Sequence, residues 1–295
     1  MQRLGVDLGG TKIEAVLIGD DGQILGRERV ATPKGDYDAT LSAIALAIDR
    51  VAAPPDLPLG IGTPGSIGPA TGLIRNSNST ILNGRRLDRD LRERLDRDVR
   101  IANDADCFAL AEASAGAGRG AATVFGAILG TGVGGGIVID GKLLGGPNRL
   151  AGEWGHNPLR IDAASGPLPP CYCGQLGCVE AWCSGPAVEA AFRERTGEAL
   201  SVQDIAARRL GGCAVAAEII DTHTSRLAAA LAVVVNIIDP EVIVLGGGLS
   251  HLDHLYTDLP LRMMPHVFSD VFVTPVVKNE LGDSAGVIGA AWLWP

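Results

Sequence analysis

Apolar positions fall into runs with two different rhythms. One run, Gly5-Val6-Asp7-Leu8, breaks at Gly9-Gly10-Thr11-Lys12, resumes as Ile13-Glu14-Ala15-Val16-Leu17-Ile18 and stops at Asp20-Asp21-Gly22. A second run, Gly126-Ala127-Ile128-Leu129, breaks at Gly130-Thr131-Gly132, resumes through Val133-Gly134-Gly135-Gly136-Ile137-Val138-Ile139 and stops at Asp140-Gly141. Each reads as strand, Gly/Thr turn, strand and Asp-Gly hairpin signal. Two copies of one supersecondary unit predict a duplicated architecture. Helical spacing covers Ala39 to Val51, Cys107 to Ala115, His223 to Ile238 and Ala285 to Leu293, the last behind the expected cap Gly282-Asp283-Ser284. Short strands are expected at Leu59–Gly62, Val99–Ala102 and Val242–Leu245, and a long Gly/Pro-rich functional loop from Pro147 to Pro170. Strands alternating with helices make the chain α/β.

Composition narrows the function classes. The 295 residues suit two ordinary domains or one large one, and 46% hydrophobic residues supply a sizeable core. With 25 Lys+Arg against 34 Asp+Glu the formal net charge is −9, which leaves no electrostatic footprint for nucleic acid or an anionic membrane. No apolar run approaches the roughly 20 residues of a spanning helix, and the first residues read as a strand rather than a signal segment. A soluble, cytoplasmic protein with no nucleic-acid or membrane partner is expected.

The turn Asp7-Leu8-Gly9-Gly10-Thr11-Lys12 lets backbone N–H groups approach an anion. Thr11 adds a hydroxyl, Lys12 a charge, and Asp7 is placed to hold Mg²⁺ through water. It is not a Walker loop, and its plainer reading is a tight hairpin. The stretch Leu129–Gly136 repeats the device. Its Gly130, Gly132 and Gly135 imitate a dinucleotide fingerprint, but a strand follows where that motif needs a helix. Two such turns, Gly134 included in the second, suit the phosphates of one triphosphate. Gly246-Gly247-Gly248 after a buried strand is a third place of close backbone approach, or a plain strand-to-helix turn. In Asn103-Asp104-Ala105-Asp106, Asp104 suits a general base for a hydroxyl attacking a phosphoryl group, while any of Asn103, Asp104 and Asp106 could instead cap the next helix.

Four of the six cysteines lie between Cys171 and Cys183. Cys171, Cys173 and Cys178 form C-x-C-G-x-x-G-C, which places three thiolates around one point, and His156 in Glu153-Trp154-Gly155-His156 offers a fourth ligand for tetrahedral Zn²⁺, with Cys183 as the competitor. With no HExxH motif the zinc is expected to be structural. Through its other ring nitrogen His156 can reach a substrate. Glu153 and Glu180 flank the cluster.

Together these segments resemble the ROK (repressor, open reading frame, kinase) family of the actin/hexokinase-like superfamily. The likeness runs through DLGGTK at Asp7, GTPGSI at Gly62, ANDAD at Ala102, LGTGVGGG at Leu129, GEWGH at Gly152, CYCGQLGCVE at Cys171, DPEVIVLGGGLS at Asp239 and GDSAGVIGAAWLW at Gly282. It implies a two-domain, ribonuclease H-like duplicated fold with the active cleft between the domains. The expected domains are residues 1–115 with the terminal helix 285–295, and 116–284 with the zinc loop.

By this resemblance Asp104 is the catalytic base, and Asn103, Glu153, His156 and Glu180 contact a sugar. Gly65, Ser66 and Asn78 lie on the segment that closes over it, and His156, Cys171, Cys173 and Cys178 match the family's zinc site. ATP and Mg²⁺ are the implied cofactors and a homodimer the implied assembly. The family also contains sugar-responsive repressors with a helix-turn-helix arm before the kinase-like part. DLGGTK begins at residue 7, so an enzyme is expected rather than a regulator. The segments Asn76–Gly84 and PCYCG look most like bacterial fructokinases that also take mannose. Fructose 6-phosphorylation is therefore the expectation, with N-acetylglucosamine or glucose as the alternative and a non-catalytic sugar sensor as the reading from another class.

Overall fold

The computed structural model describes residues 2–20, 22–160 and 167–294. Asp21 of the first expected turn and residues 161–166 of the expected loop lie outside the described residues. In chain order the elements are β1 (Arg3–Leu8), β2 (Lys12–Ile18), β3 (Ile24–Ala31), α1 (Tyr37–Arg50), β4 (Leu59–Thr63), β5 (Ser66–Ile67), β6 (Ile74–Arg75), α2 (Leu87–Leu95), β7 (Val99–Asn103) and α3 (Asp104–Ala115). There follow β8 (Thr123–Leu129), β9 (Val133–Ile139), β10 (Lys142–Leu143), α4 (Val179–Cys183), α5 (Gly185–Thr196), α6 (Val202–Leu210), α7 (Ala214–Ile238), β11 (Val242–Gly246), α8 (Leu255–Met263), β12 (Val276–Lys278) and α9 (Ala285–Ala291).

The repeat read from the sequence is present in the topology. One five-stranded sheet has the order β3-β2-β1-β4-β7 and the other β10-β9-β8-β11-β12. In the first, β3, β2 and β1 are antiparallel, and β4 and β7 join parallel to β1. In the second, β10 pairs antiparallel with β9, and β11 lies parallel to both β8 and β12. The Asp140-Gly141 signal forms its turn with both residues left-handed, at φ 48° and 71°, the conformation a two-residue hairpin of this type demands.

Two compact units emerge: Met1–Gly120 with Gly136–Ala151 and Glu280–Pro295, and Ala121–Gly135 with Gly152–Asn279. In the first, Leu4, Val6 and Leu8 of β1 and Leu59 and Ile61 of β4 pack in one cluster with Ile44 and Ile48 of α1 and Leu87 and Leu91 of α2. α1 starts at Tyr37 because the Asp36 side chain accepts the Ala39 N–H at 2.9 Å. α9 lies directly on β1 and β4. A Cβ at Gly5 would strike the Val287 carbonyl, one at Gly60 the Ala290 carbonyl, and one at Gly289 the Cys107 carbonyl. Only glycine lets backbones approach so closely. Buried Glu112 holds the segment before α9, accepting N–H groups from Ala117 at 2.9 Å, Glu280 at 3.1 Å and Leu281 at 3.0 Å.

Two helix expectations change. Ser284 makes no capping bond to α9; its hydroxyl accepts from Arg27 Nη2 at 2.9 Å instead. α7 begins at Ala214, well before His223, because Ala216, Ile219, Ile220, His223 and Leu227 share a buried face while Glu218, Asp221, Thr222 and Ser225 face outward. Among the described residues no helix is long and apolar enough to cross a membrane.

Candidate active site

The first Gly turn hangs between β1 and β2. Gly9 N–H donates to the Lys12 carbonyl at 3.1 Å, while Thr32 donates its N–H to the Thr11 carbonyl at 3.1 Å and its hydroxyl to the Gly9 carbonyl at 2.7 Å. The carbonyls are thus occupied by framework bonds. Gly10 and Thr11 sit exposed at the tip, and their N–H groups donate to no backbone carbonyl among the described residues. A Cβ at Gly10 would find only Ser79 Oγ, at 3.7 Å, so the tip is open. Lys12 Nζ lies 3.7 Å from buried Glu14, which also binds Arg29 at 2.7 Å and Arg27. That acid-base cluster gave no motif in the sequence; a charged residue on the buried face of β2 was its one signal.

Asp7, the residue before the turn on β1, has its pKa raised to about 6. Burial is the largest cause, followed by the negative charges of Asp104 and Glu14, with Lys12 opposing. A carboxylate so placed gains from a nearby cation, which fits the chemistry of Mg²⁺ held there.

Asn103 and Asp104 stand at the junction of β7 and α3. The capping question resolves in favour of Asn103, whose Oδ1 accepts the Asp106 N–H at 2.6 Å. Asp104 is therefore not spent as the cap. It occupies the first helical position, with its carboxylate reachable from solvent and one oxygen accepting its neighbour Ala105 N–H at 2.9 Å. Crowding by protein pushes its pKa up, against the pull of that N–H.

Gly65 and Ser66 form the turn from β4 into β5. Gly65 has φ +85°, and a Cβ there would meet the Arg75 carbonyl at 2.5 Å. Asn78 is exposed. The loop that carries it is closed by Asn83, whose Oδ1 accepts the Ser77 N–H at 3.0 Å and whose Nδ2 donates to the Ser77 carbonyl at 2.9 Å.

In the second unit the glycines of Leu129–Gly136 meet protein as well as open space. Gly130 N–H donates to the Gly132 carbonyl at 2.9 Å, leaving Thr131 exposed at the tip. A Cβ on Gly132 would lie 2.6 Å from Glu180 Oε2, and that oxygen accepts the Val133 N–H at 2.9 Å. Trp154 Nε1–H donates to the Gly134 carbonyl at 2.8 Å, and a Cβ on Gly135 would sit 2.8 Å from the same ring. Glu180 and the segment Glu153–His156 are thus docked on the second turn. Gly246 is buried inside β11, whereas Gly247, at φ +79°, and Gly248 are exposed beyond it.

The zinc candidates converge. Among the described residues one ligand atom each from His156, Cys171, Cys173 and Cys178 lie within 4.8 Å of one another. Cys171 Sγ is 3.5 Å from His156 Nδ1, and Cys173 Sγ is 3.6 Å from Cys178 Sγ. A tetrahedron with Zn–S bonds of about 2.3 Å has edges of about 3.7 Å, so the four residues fit zinc. Bridges pairing Pro158 with Cys178 and Pro170 with Leu176 shape the loop. Cys183 is elsewhere, at the buried end of α4, where its carbonyl pairs with His223 Nε2 at 3.0 Å. Tyr172 was not singled out in the sequence. Its hydroxyl lies 3.0 Å from His156 Nε2, the nitrogen that would remain free beside a metal.

The model of the ROK family matches residues 3–295. The chain belongs to the ROK family. It is 41% identical over 298 residues to the N-acetyl-D-glucosamine kinase of Photobacterium profundum, covering 98% of both chains. The crystal structure of the ROK hexokinase from Thermus thermophilus superposes with a TM-score of 0.88 at 30% identity, over 99% of this chain and 97% of that one. A ROK family glucokinase from Streptomyces griseus, solved with glucose and AMPPNP, gives 0.74 at 28% identity, over 99% and 98%. The fold is the α/β, hexokinase- and actin-like fold of this family. The 41%-identical relative bears the name of the N-acetylglucosamine alternative, and none of the three is named a fructokinase. In the NSNST segment that carries the fructose expectation, Ser77 is tied by Asn83 into a loop scaffold.

Proposed function

We propose that the chain is an ATP-dependent sugar kinase that phosphorylates the 6-hydroxyl of N-acetylglucosamine, with Asp104 as general base. The observation that carries this is the division of labour at the start of α3: Asn103 caps the helix, and Asp104, its pKa raised, is left facing solvent. A carboxylate with a raised pKa is a better proton acceptor for an alcohol than an ordinary one. The name of the 41%-identical relative supports the choice of sugar.

In this reading the open tips at Gly10–Thr11 and Thr131, together with Gly247 and Gly248, offer N–H and hydroxyl donors to the triphosphate. Asn103, Glu153, His156 and Glu180 hold sugar hydroxyls, and Gly65, Ser66 and Asn78 lie on the covering segment. As the sugar oxygen bonds to the γ-phosphorus and ADP leaves, the hydroxyl proton passes to Asp104. Asp7 would hold Mg²⁺ through water, and the ion would supply positive charge that offsets the phosphates. His156, Cys171, Cys173 and Cys178 would hold zinc, which would fix the loop that carries Glu153 and His156.

The test is sugar-dependent ADP release with N-acetylglucosamine, glucose, mannose and fructose, alongside Asp104→Ala. Turnover led by N-acetylglucosamine, lowered by roughly 10²–10⁴-fold in the variant, is expected. Fructose leading would restore the fructokinase reading, and an Asp104→Ala protein with near-full activity would remove the base. Absence of turnover with every sugar would leave the sensor reading.

A further inference from the structure

A cavity of about 390 Å³ opens in the first unit, bounded by β7, α2, β5, the segment 143–151 and Leu293. Asp7, Asp104 and the Gly9–Lys12 turn do not line it, so it is distinct from the base and the phosphate turn; it shares Ser66 and Asn103 with the proposed sugar contacts. Its size is at the lower end of small-molecule sites.

Arg92, Arg100 and Arg149 line it against two carboxylates, Asp88 and Asp106, so the wall is net positive in a chain of net charge −9. Two of these guanidinium groups are held without being neutralised. Arg92 Nη2 donates to the Val99 carbonyl at 3.1 Å, and its ion pair with exposed Asp98 is loose at 3.9 Å. Arg100 Nη1 donates to the Leu293 carbonyl at 2.7 Å while its guanidinium lies 3.8 Å from the Trp294 ring centre. A carbonyl partner orients an arginine and leaves its charge for a ligand.

Arg149 differs. Its backbone is left-handed at φ +51°, a conformation that a long side chain adopts only when its surroundings impose it and that collects at ligand sites. Its N–H is fixed to the Gly146 carbonyl at 3.0 Å, and its guanidinium has no hydrogen-bond or ion-pair partner among the described residues. The strained backbone thus presents an uncommitted planar fork at the cavity, beside two oriented ones. Phosphate oxygens match that fork in pairs.

We propose that this cavity is a second ligand site that takes a small phosphate monoester or free phosphate, gripped by Arg149 and Arg92. The proposal does not depend on the kinase reading. If a sugar phosphate is the occupant, its body rests on β5, the strand that follows Gly65, and reports phosphorylated sugar to the segment assigned to the sugar substrate.

The test is calorimetric titration of the intact protein, without ATP, with inorganic phosphate and separately with N-acetylglucosamine 6-phosphate in the presence of excess N-acetylglucosamine. Arg149→Ala and Arg92→Ala are the variants. Arg89→Ala, whose side chain pairs with Glu93 outside the cavity, is the control. Each cavity variant should weaken binding at least about tenfold, the worth of one charge-assisted bond, with an unchanged melting temperature and no effect in the control. Loss of both titrations identifies phosphate itself as the ligand, and loss of the sugar phosphate titration alone, with phosphate silent, identifies the monoester. No binding of either compound at about 1 mM, where affinity is only about 4 kcal/mol, or binding indifferent to both arginines, overturns the proposal.

Discussion

The two Gly/Thr turns descend from one pattern and occupy equivalent places in two sheets of the same strand order, yet their surroundings differ. The first is open at its tip and electrically busy: Asp7 precedes it, Lys12 ends it, and Glu14 gathers Arg27 and Arg29 behind it. The second carries no charge of its own and is clasped by protein, with Glu180 on Val133 and Trp154 on Gly134. Repetition of a backbone device therefore does not repeat its surroundings, and the second copy carries a further task. One copy keeps room and charge for a ligand; the other fixes the residues proposed to hold the acceptor to the frame of the turn.

Metal removal should break the comparison most strongly. Metal analysis of the purified protein should find about one zinc per chain, as a Cys₃His site requires. Chelation should lower activity by at least about tenfold and make the Cys171–Cys178 loop protease-sensitive. Burial and neighbouring thiols push Cys178 up to about 12, so without metal that sulfur keeps its proton and the loop loses its centre. Full activity in metal-free protein would refute the site.

A paired substitution sharpens the contrast next. Gly132→Ala puts a methyl group 2.6 Å from Glu180 Oε2, whereas Gly10→Ala meets only Ser79 Oγ at 3.7 Å. Urea unfolding should show Gly132→Ala destabilised by about 1–3 kcal/mol and Gly10→Ala changed by no more than about 0.5 kcal/mol. Both should lose nucleotide affinity. Equal stability losses would mean that the two turns are clasped alike.

The smallest effect concerns pH. Asp7 has its folded-state pKa raised from 3.8 to about 6, so the folded protein holds that proton more tightly than the unfolded chain. Its contribution to stability is present below about pH 4 and is lost as pH rises through about 6. Asp7→Asn should therefore be more stable than the parent at pH 7–8 by about 1 kcal/mol, after discounting for partial exposure, and indistinguishable from it near pH 3.5. Melting curves at the two pH values check this. A parent that is the more stable of the two at pH 7.5 would reverse the sign.

The duplicated strands, the turn positions and the Cys/His cluster are legible in the sequence because each depends on local spacing: period two in strands, Gly at tips, Cys at C-x-C-G-x-x-G-C. The cluster even closed with the expected partner, His156 rather than Cys183. Less legible was whatever depends on what lies opposite. Gly132 reads as a ligand-facing glycine, but contact with Glu180 requires it too, and the Trp154 ring requires Gly135. Asn103 and Asp104 are interchangeable as caps by residue type, and only the Asp106 N–H to Asn103 Oδ1 bond separates them. Asn83 and Tyr172 lie inside motif segments without a role of their own there, and their roles show only in the groups they touch. The choice between sugars was least legible, because hydroxyl readout depends on placement finer than residue type.

The seating of α9 on β1 and β4 has a consequence for how the protein is made. Arg3 Nε donates to the Trp294 carbonyl at 3.2 Å, a bond that joins residues 291 positions apart. Translation proceeds from β1 towards α9, so the glycine-lined face of the first sheet stays uncovered on the ribosome while the whole second unit is synthesised. The second unit, whose segments all precede Glu280, can close first. The nascent first unit must meanwhile keep its bare strands from pairing wrongly, and it is in this interval that a chaperone has something to bind.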